Sequence, residues 1–461
     1  MIRGRRNGWH AALPAWLAGC AMLAAALRLA AAETLTWRPE TQTLDAELEA
    51  APLIPVLDRL ATKTGWHIYL EPVPGKTITT KFTGLSRGEA MRVLLGDLNY
   101  AFAPQPGGPT RLFVFRSSRD AATKLISGIP TDGADRRIPN QLVIKIMPGT
   151  DIEELAKRLG AKIIGRLDKI GVYRLAFEDD KARDAARETL LDDPEVEGVD
   201  YNYTVDRPPA PQAAPGRHVG PPQLTLKPTT GDGRVVVGLI DTAVQPLGNG
   251  LDGFLLQAIS VAGGGGASGS GPTHGTSMAN TLLLGLQHAT GGSTAARILP
   301  VDVYGGNPLA STYDVTVGIM AAVNGGANVI NLSLGTTADS AFLRSVIESV
   351  SKSGIPIFAA AGNQPVTTPT YPAAYPQVLA VTAGQNGQPA PYANFGSFVD
   401  VMAPGSTVVN YGGQTYVITG TSAASALAAG QAAGLADAKN LTPAQAATQV
   451  QSQMPFQPAT R

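Results

Sequence analysis

Cysteine is almost missing from this 461-residue chain, in which Cys20 stands alone. No disulfide can form within it, so packing or ions must hold the fold together. Net charge is missing too, since 36 basic side chains balance 36 acidic ones. That balance excludes a basic nucleic-acid binder on charge grounds. There is no Gly-x-Ser-x-Gly elbow and no glycine-rich phosphate loop opening a helix. These gaps speak against an α/β-hydrolase esterase and a nucleotide-binding enzyme. Charge itself is scarce in one half. Residues 33–234 hold 27 basic and 28 acidic side chains, whereas 235–461 hold 5 and 8. A step that large implies at least two kinds of domain, and the length suffices for two or three cores.

The N-terminal apolar run from Ala11 to Leu27 is stopped by Arg28 below spanning length. Arg3, Arg5 and Arg6 precede it, and Ala30-Ala31-Ala32 offers a cleavage site before Glu33. Residues 1–32 therefore read as a secretory signal, implying a secreted or periplasmic protein. Cleavage there would remove Cys20. Leu17-Ala18-Gly19-Cys20 also resembles a lipoprotein box, which leaves anchoring at Cys20 open, as it does an uncleaved anchor.

Residues 35–117 alternate short strands and helices. Helices are expected near Pro55–Lys63 and from Ser86, strands at His67–Leu70, Thr77–Phe82 and Leu112–Phe115, with Ser86 and Glu89 as a capping box. The run from Pro55 to Gly65, followed by Glu89 to Leu95, resembles the short N-terminal domain of secretins and TonB-dependent receptors. The resemblance implies a docking role on an envelope protein partner; a generic small α/β module is the alternative.

A second small unit is expected over 138–203. Leu142–Ile146 and Val172–Leu175 read as strands, Asp151–Leu159 and Lys181–Leu191 as helices, and Pro194–Tyr203 completes a ferredoxin-like βαββαβ order. This stretch resembles the propeptide of subtilisin-like proteases, which implies a folding aid and an intramolecular inhibitor. A free-standing binding domain is the other reading. Seven prolines then fall within residues 204–234, marking an extended, protease-accessible linker.

From residue 235 the pattern is α/β. Val235–Ile240 is a continuous apolar strand ending in Asp241, and similar strands follow at Asn328–Leu332, Ile355–Ala360 and Val378–Val381. Helical segments Ser311–Val323 and Ser340–Ser353 lie between them, indicating a doubly wound, mainly parallel sheet. The expected fold class is thus α/β, with two small α+β domains ahead of the main sheet. Within that frame stand Asp241-Thr242, His274-Gly275-Thr276, Gly362-Asn363, Gly420-Thr421-Ser422-Ala423-Ala424 with Gly430, and Val399–Gly405. Their order and local matches are similar to those of the subtilases, a resemblance that covers nearly all of 235–455.

That resemblance implies serine-peptidase chemistry. A serine hydroxyl is a poor nucleophile until a base takes its proton. His274 is expected as that base, Asp241 as the anion orienting it, and Ser422 as the nucleophile. Asn363 and the Ser422 N–H are implied as oxyanion donors, and Ser333-Leu334-Gly335 resembles the segment that pairs with a bound peptide. Three positions depart from the family pattern: Ala243, whose methyl is expected to crowd the turn beside Asp241, Asn280 and Ala426. Gly263–Gly271 suggests a mobile loop near the base. The few charges of this domain argue against a charge-selecting pocket, and favour apolar or tolerant preference. Its acids include no neighbouring pair, so no metal and no other cofactor is expected.

The sequence thus leads to a secreted or periplasmic serine endopeptidase acting on polypeptides and made as a self-processing precursor, in which Tyr201–Thr204 would lie near the active site and be cut. The alternative is a catalytically silent peptide-binding module on the same scaffold.

Overall fold

The computed structural model describes residues 34–456 apart from 65, 72–75, 106–107, 118–123, 127–135, 215–219, 229–234 and 264–270. The expected signal with Cys20, and most of the glycine-rich stretch before His274, lie outside the described residues. The chain divides into two units, Met1–Gly128 and Ile129–Arg461.

The first unit runs β1 (Thr34–Arg38), β2 (Thr43–Pro52), α1 (Leu53–Thr64), β3 (His67–Leu70), β4 (Thr77–Ser86), α2 (Arg87–Leu95), β5 (Asn99–Gln105), β6 (Gly108–Phe115) and β7 (Lys124–Ile126). One sheet has the order β1-β2-β4 and the other β5-β6-β3-β7. Leu53, Val56, Leu57, Leu60 and Ala61 fall on one face of α1 and are buried with Ile68, Met91, Leu94 and Leu112. At the start of α2 the Glu89 carboxylate accepts the Ser86 N–H at 3.2 Å and the Ser86 hydroxyl at 2.7 Å. β7 pairs with β3, so this unit continues past the expected end at Ser117.

The second unit opens with β8 (Arg137–Ile146), α3 (Ile152–Arg158), β9 (Lys162–Leu167), β10 (Val172–Ala176), α4 (Asp180–Leu191) and β11 (Val196–Asp206). Its strands pair antiparallel in the order β11-β8-β10-β9, the arrangement a βαββαβ unit makes. The sequence placed the end of this unit at Tyr203, but β11 runs on to Asp206. The linker is also less free than its prolines imply. β12 (Gln212–Ala213) and β13 (Thr225–Leu226) both pair with strands of the main domain.

That domain continues with β14 (Val236–Asp241), β15 (Ile259–Ser260), α5 (His274–Thr290), β16 (Ser293–Thr294), β17 (Arg297–Asp302), β18 (Leu309–Ser311), α6 (Thr312–Asn324), β19 (Val329–Leu332), α7 (Ala341–Lys352), β20 (Ile357–Ala360) and β21 (Val378–Gln385). After them come β22 (Gln388–Pro389), β23 (Val401–Ala403), β24 (Ser406–Tyr411), β25 (Gln414–Thr419), α8 (Thr421–Lys439) and α9 (Pro443–Gln453). The central strands lie in the order β15-β17-β14-β19-β20-β21, all parallel, with antiparallel β22 at the edge. Alternate residues of β14 serve opposite layers. Val237 and Leu239 join Leu282 and Ala429 in one core, and Val236 and Ile240 join Ile319 and Val346 in the other.

In the first of these layers α5 and α8 pack backbone to backbone. A Cβ at Gly430 would stand 2.2 Å from the Leu282 carbonyl oxygen, and one at Gly285 would stand 2.4 Å from that of Leu427. In the other layer the small β-unit closes over the N-termini of α6 and α7. Asn202, fully buried, accepts the Tyr313 N–H at 3.2 Å, and Asp200 accepts the Ser340 hydroxyl at 2.9 Å and the Phe342 N–H at 3.4 Å. Helix ends leave such donors unpaired, and their dipole favours an acceptor there. Arg174 adds an ion pair to Asp314 at 3.2 Å.

Two outcomes follow. Alanine inside a helix normally gains about 1 kcal/mol over glycine, whereas overpacking costs about 1–3 kcal/mol; a fixed carbonyl at 2.2 Å makes the second term win at Gly430. Gly430→Ala should therefore lower the denaturation midpoint, and a raised midpoint would show that the helices part freely. The second concerns Asp200, whose carboxyl is pushed up by burial despite the bonds from Ser340 and Phe342 that pull it down. A raised folded-state value means stability that is present below the ordinary carboxylate range and lost as pH rises past the raised value. Denaturant titrations of Asp200→Asn across the mildly acidic range should show a flatter pH dependence than the parent; parallel curves would refute the assignment.

Candidate active site

Asp241 ends β14, where the winding direction reverses between β17 and β19. Open parallel sheets leave a crevice at such a point. The carboxylate is fully buried and accepts the Thr242 N–H at 2.6 Å. His274 Nδ1 faces both of its oxygens, at 2.8 and 2.9 Å. Because a carboxylate only accepts, Nδ1 carries the proton and Nε2 is left as the acceptor.

A polar lattice holds this pair. Thr273 caps α5 by accepting the Thr276 N–H at 3.0 Å, which sets His274 as the first helical residue. The Gly275 N–H donates to Thr242 Oγ1 at 2.8 Å, and Thr273 Oγ1 donates to the Ala243 carbonyl at 2.6 Å. Gln245 Oε1 accepts both the Thr273 N–H at 2.7 Å and the Thr276 hydroxyl at 2.9 Å. A Cβ on residue 275 would lie 2.1 Å from the Thr242 carbonyl oxygen, so only glycine permits the approach. At Ala243 φ lies outside the positive range, so the backbone there does not require glycine, and its carbonyl is part of the lattice. Asn280 turns its amide back on the Thr276 carbonyl at 3.0 Å, and Ala426 is buried; both helices run through these positions unbroken.

Ser422 is the second residue of α8 and is 8% exposed. The first amide of that helix, on Thr421, donates to Asn363 Oδ1 at 2.8 Å, while Thr421 Oγ1 accepts the Gly362 N–H at 3.0 Å. Tied in this way, Asn363 has its NH₂ group left to donate, and the Ser422 N–H is one of the amides a helix leaves without an internal partner. Both residues line one cleft of about 260 Å³ together with Ser333, Leu334 and Gly335. The Ser422 hydroxyl donates to the Ser333 carbonyl at 3.2 Å, and among the described residues it makes no hydrogen bond to His274. Beneath it, Ser425 donates to Asn331 at 2.8 Å, Asn331 to Ser333 Oγ at 2.9 Å, and Ser333 Oγ to the Ser422 carbonyl at 3.0 Å. Among the described residues no group of three or more His, Cys, Asp or Glu side chains could hold a metal ion.

The chain's own linker forms part of the lining of this cleft. Asp206, Arg207, Pro208 and Pro209 line it beside Ser422 and Asn363. Tyr201–Thr204, expected at this place, instead pairs with β8 and β18. Thr204–Asp206 runs antiparallel to Leu309–Ser311, a short strand that carries no motif and went unforeseen. Ser333–Gly335 lines the cleft without forming a described strand pairing with the linker. Also missed were Thr421, Gln245 and the Asn331–Ser425 link, for which only Thr421, inside the Gly-Thr-Ser run, left any sequence signal.

The subtilase family model matches residues 232–454, and the fervidolysin N-terminal prodomain model matches residues 127–202. Thermitase of Thermoactinomyces vulgaris is 34% identical over 206 residues, 43% of this chain and 74% of thermitase. Subtilisin Savinase of Lederbergia lenta is 36% identical over 168 residues, 35% of this chain; the chain spans 62% of that relative's length. The crystal structure of fervidolysin from Fervidobacterium pennivorans, a keratinolytic enzyme related to subtilisin, superposes with a TM-score of 0.52 at 19% identity, covering 67% of this chain and 56% of that one. That likeness shows a shared fold. With the matches to its main domain and to the prodomain ahead of it, the chain belongs to the subtilase family.

Proposed function

We propose that the chain is a serine endopeptidase, secreted or periplasmic, that hydrolyses peptide bonds with Asp241, His274 and Ser422. It is made as a self-processing precursor inhibited by its own prodomain, while the first unit docks to an envelope protein partner. The observation that carries this reading is the buried, two-oxygen seat of His274 Nδ1 on Asp241. It fixes the tautomer whose free Nε2 can take a proton from Ser422 Oγ as that oxygen attacks a carbonyl carbon. Asp241 stabilises the imidazolium formed, which then protonates the leaving amine. The negative oxygen of the tetrahedral intermediate is met by the Asn363 NH₂ and the Ser422 N–H at the positive end of α8. Water releases the acyl group by the same steps in reverse.

A silent peptide-binding module remains the second reading, favoured by one observation: the Ser422 hydroxyl donates to the Ser333 carbonyl rather than to His274. Catalytic hydrogen bonds often tighten only with substrate in place. The two readings separate with a fluorophosphonate probe. Folded protein freed of its prodomain should be labelled at Ser422 and unlabelled as Ser422→Ala, whereas an unlabelled parent supports the silent module. Asn363→Ala should lower kcat by about a hundred- to a thousandfold with little change in KM, the loss expected of one oxyanion donor. An unchanged kcat would remove Asn363 from the mechanism.

Processing has its own constraint. Each peptide bond from Arg207 to Gln212 has proline on at least one side. A substrate seated as an added strand needs backbone N–H donors, and proline supplies none and holds φ near about −65°. The crossing segment is therefore a poor substrate. Purified protein should show its new N-terminus between Ala213 and Arg234, and Ser422→Ala should stay intact. A cut within 207–212 would refute the proline argument, and processing of the alanine variant would assign the work to another protease.

A further inference from the structure

Arg207 is the one charged residue between Asp206 and Gln212, and it lines the cleft. Among the described residues its guanidinium forms no ion pair with a carboxylate. Nη1 donates to the carbonyl oxygens of Gly305 at 3.0 Å and of Asn307 at 2.9 Å, and the group lies 5.6 Å from the ring centre of Tyr304. Its backbone N–H donates to the Pro308 carbonyl at 3.1 Å, carrying on the strand pairing that Thr204–Asp206 makes with β18. Arg207 is therefore held as a residue of an extended peptide would be, along the wall of the cleft that contains Ser422.

The receiving loop is built and stiff. The buried Asp302 carboxylate accepts the N–H groups of Tyr304 at 3.0 Å and Gly305 at 2.9 Å, and the Asn307 N–H closes on the Tyr304 carbonyl at 2.9 Å. These bonds leave the Gly305 and Asn307 carbonyls converging on one point. Tyr304 is fully buried, and its hydroxyl donates to the Asp206 carbonyl at 2.9 Å. Two carbonyl oxygens and an aromatic face all favour positive charge.

We propose that Gly305, Asn307 and Tyr304 form a subsite for the basic side chain of a polypeptide substrate, and that Arg207 fills it in the precursor as a pseudosubstrate. The proposal rests on the peptidase reading and names its preference, an arginine or lysine on the acyl side of the cleaved bond. Both hydrogen bonds come from one nitrogen, so an ammonium group can make them too. Selection by carbonyls needs no acidic side chain, which is how a thinly charged domain could still choose a charged substrate.

The test is a positional peptide library, cleaved by the protein after its linker has been cut, by itself or at a protease site inserted after Ala214, and the released prodomain with Arg207 has been removed. One position on the acyl side should favour Arg and Lys over Leu and Ala by about tenfold in kcat/KM. Asn307 is exposed, so Asn307→Asp should widen that ratio and Asn307→Lys should narrow it. Cleavage without a basic preference, or with one that both variants leave alike, overturns the subsite and leaves the peptidase reading standing. Folded, matured protein that cleaves no peptide overturns the peptidase reading and the subsite with it.

Discussion

The site depends on how closely α5 and α8 approach. One helix starts with His274 and the other presents Ser422 in its first turn, so their separation sets where these two side chains stand. Side chains larger than hydrogen would hold the axes apart at the points where Gly285 meets Leu427 and Gly430 meets Leu282. The alanines of these helices, Ala279, Ala423, Ala426 and Ala429 among them, are buried in the same core layer. The energy of this seam is close packing of backbone and methyl groups, not the capture of large side chains. A local tightening along the crossing thus bears on where the helix ends that carry His274 and Ser422 stand.

The prodomain uses the opposite layer. It places Asp200 and Asn202 on the N-termini of α7 and α6, donors that each helix leaves open, and so satisfies them without a large apolar patch. Val143, Val172 and Val205 then add to the core under those helices. From this base the chain leaves along β18, lines the cleft with Arg207–Pro209, and regains a partner at β25, where the Ala214 N–H donates to the Thr415 carbonyl at 2.8 Å. Strand pairing at both ends thus ties down the segment between them. The prolines that mark this segment as a spacer also leave positions 208, 209 and 211 without a backbone N–H donor.

Much of this organisation is legible in the chain because it is local. The unbroken apolar run Val235–Ile240 marks a strand buried on both faces, and the apolar spacing of Leu53, Val56, Leu57 and Leu60 marks a helix. The βαββαβ order is visible although β9, whose Lys162, Gly165 and Arg166 interrupt its apolar residues, is not. What stays hidden depends on partners far along the chain. Leu309–Ser311 is too short and plain to read as a strand until β11 pairs with it. Gln245 matters only because Thr273 and Thr276 come within reach. The linker was read from its composition as free, yet residues 206–214 find edges that no composition reports. At Ala243, where the motif departs from the family pattern, φ is ordinary and the backbone does not demand glycine.

The step in charge density at the linker has a physical counterpart in the cleft. Asn363 brings an amide side chain to the cleft and α8 its first N–H groups, while the acceptors facing Arg207 are main-chain carbonyls. Backbone dipoles are already in place when the fold forms, so they need no reorganisation as charge develops on a substrate oxygen. They also escape the desolvation penalty that a buried carboxylate would carry. One carboxylate is retained where a full charge is required, under His274, and a second, Asp302, does its work by shaping the loop whose carbonyls turn outward. A domain with 13 charged side chains in 227 residues can therefore be strongly polar at its one reactive place.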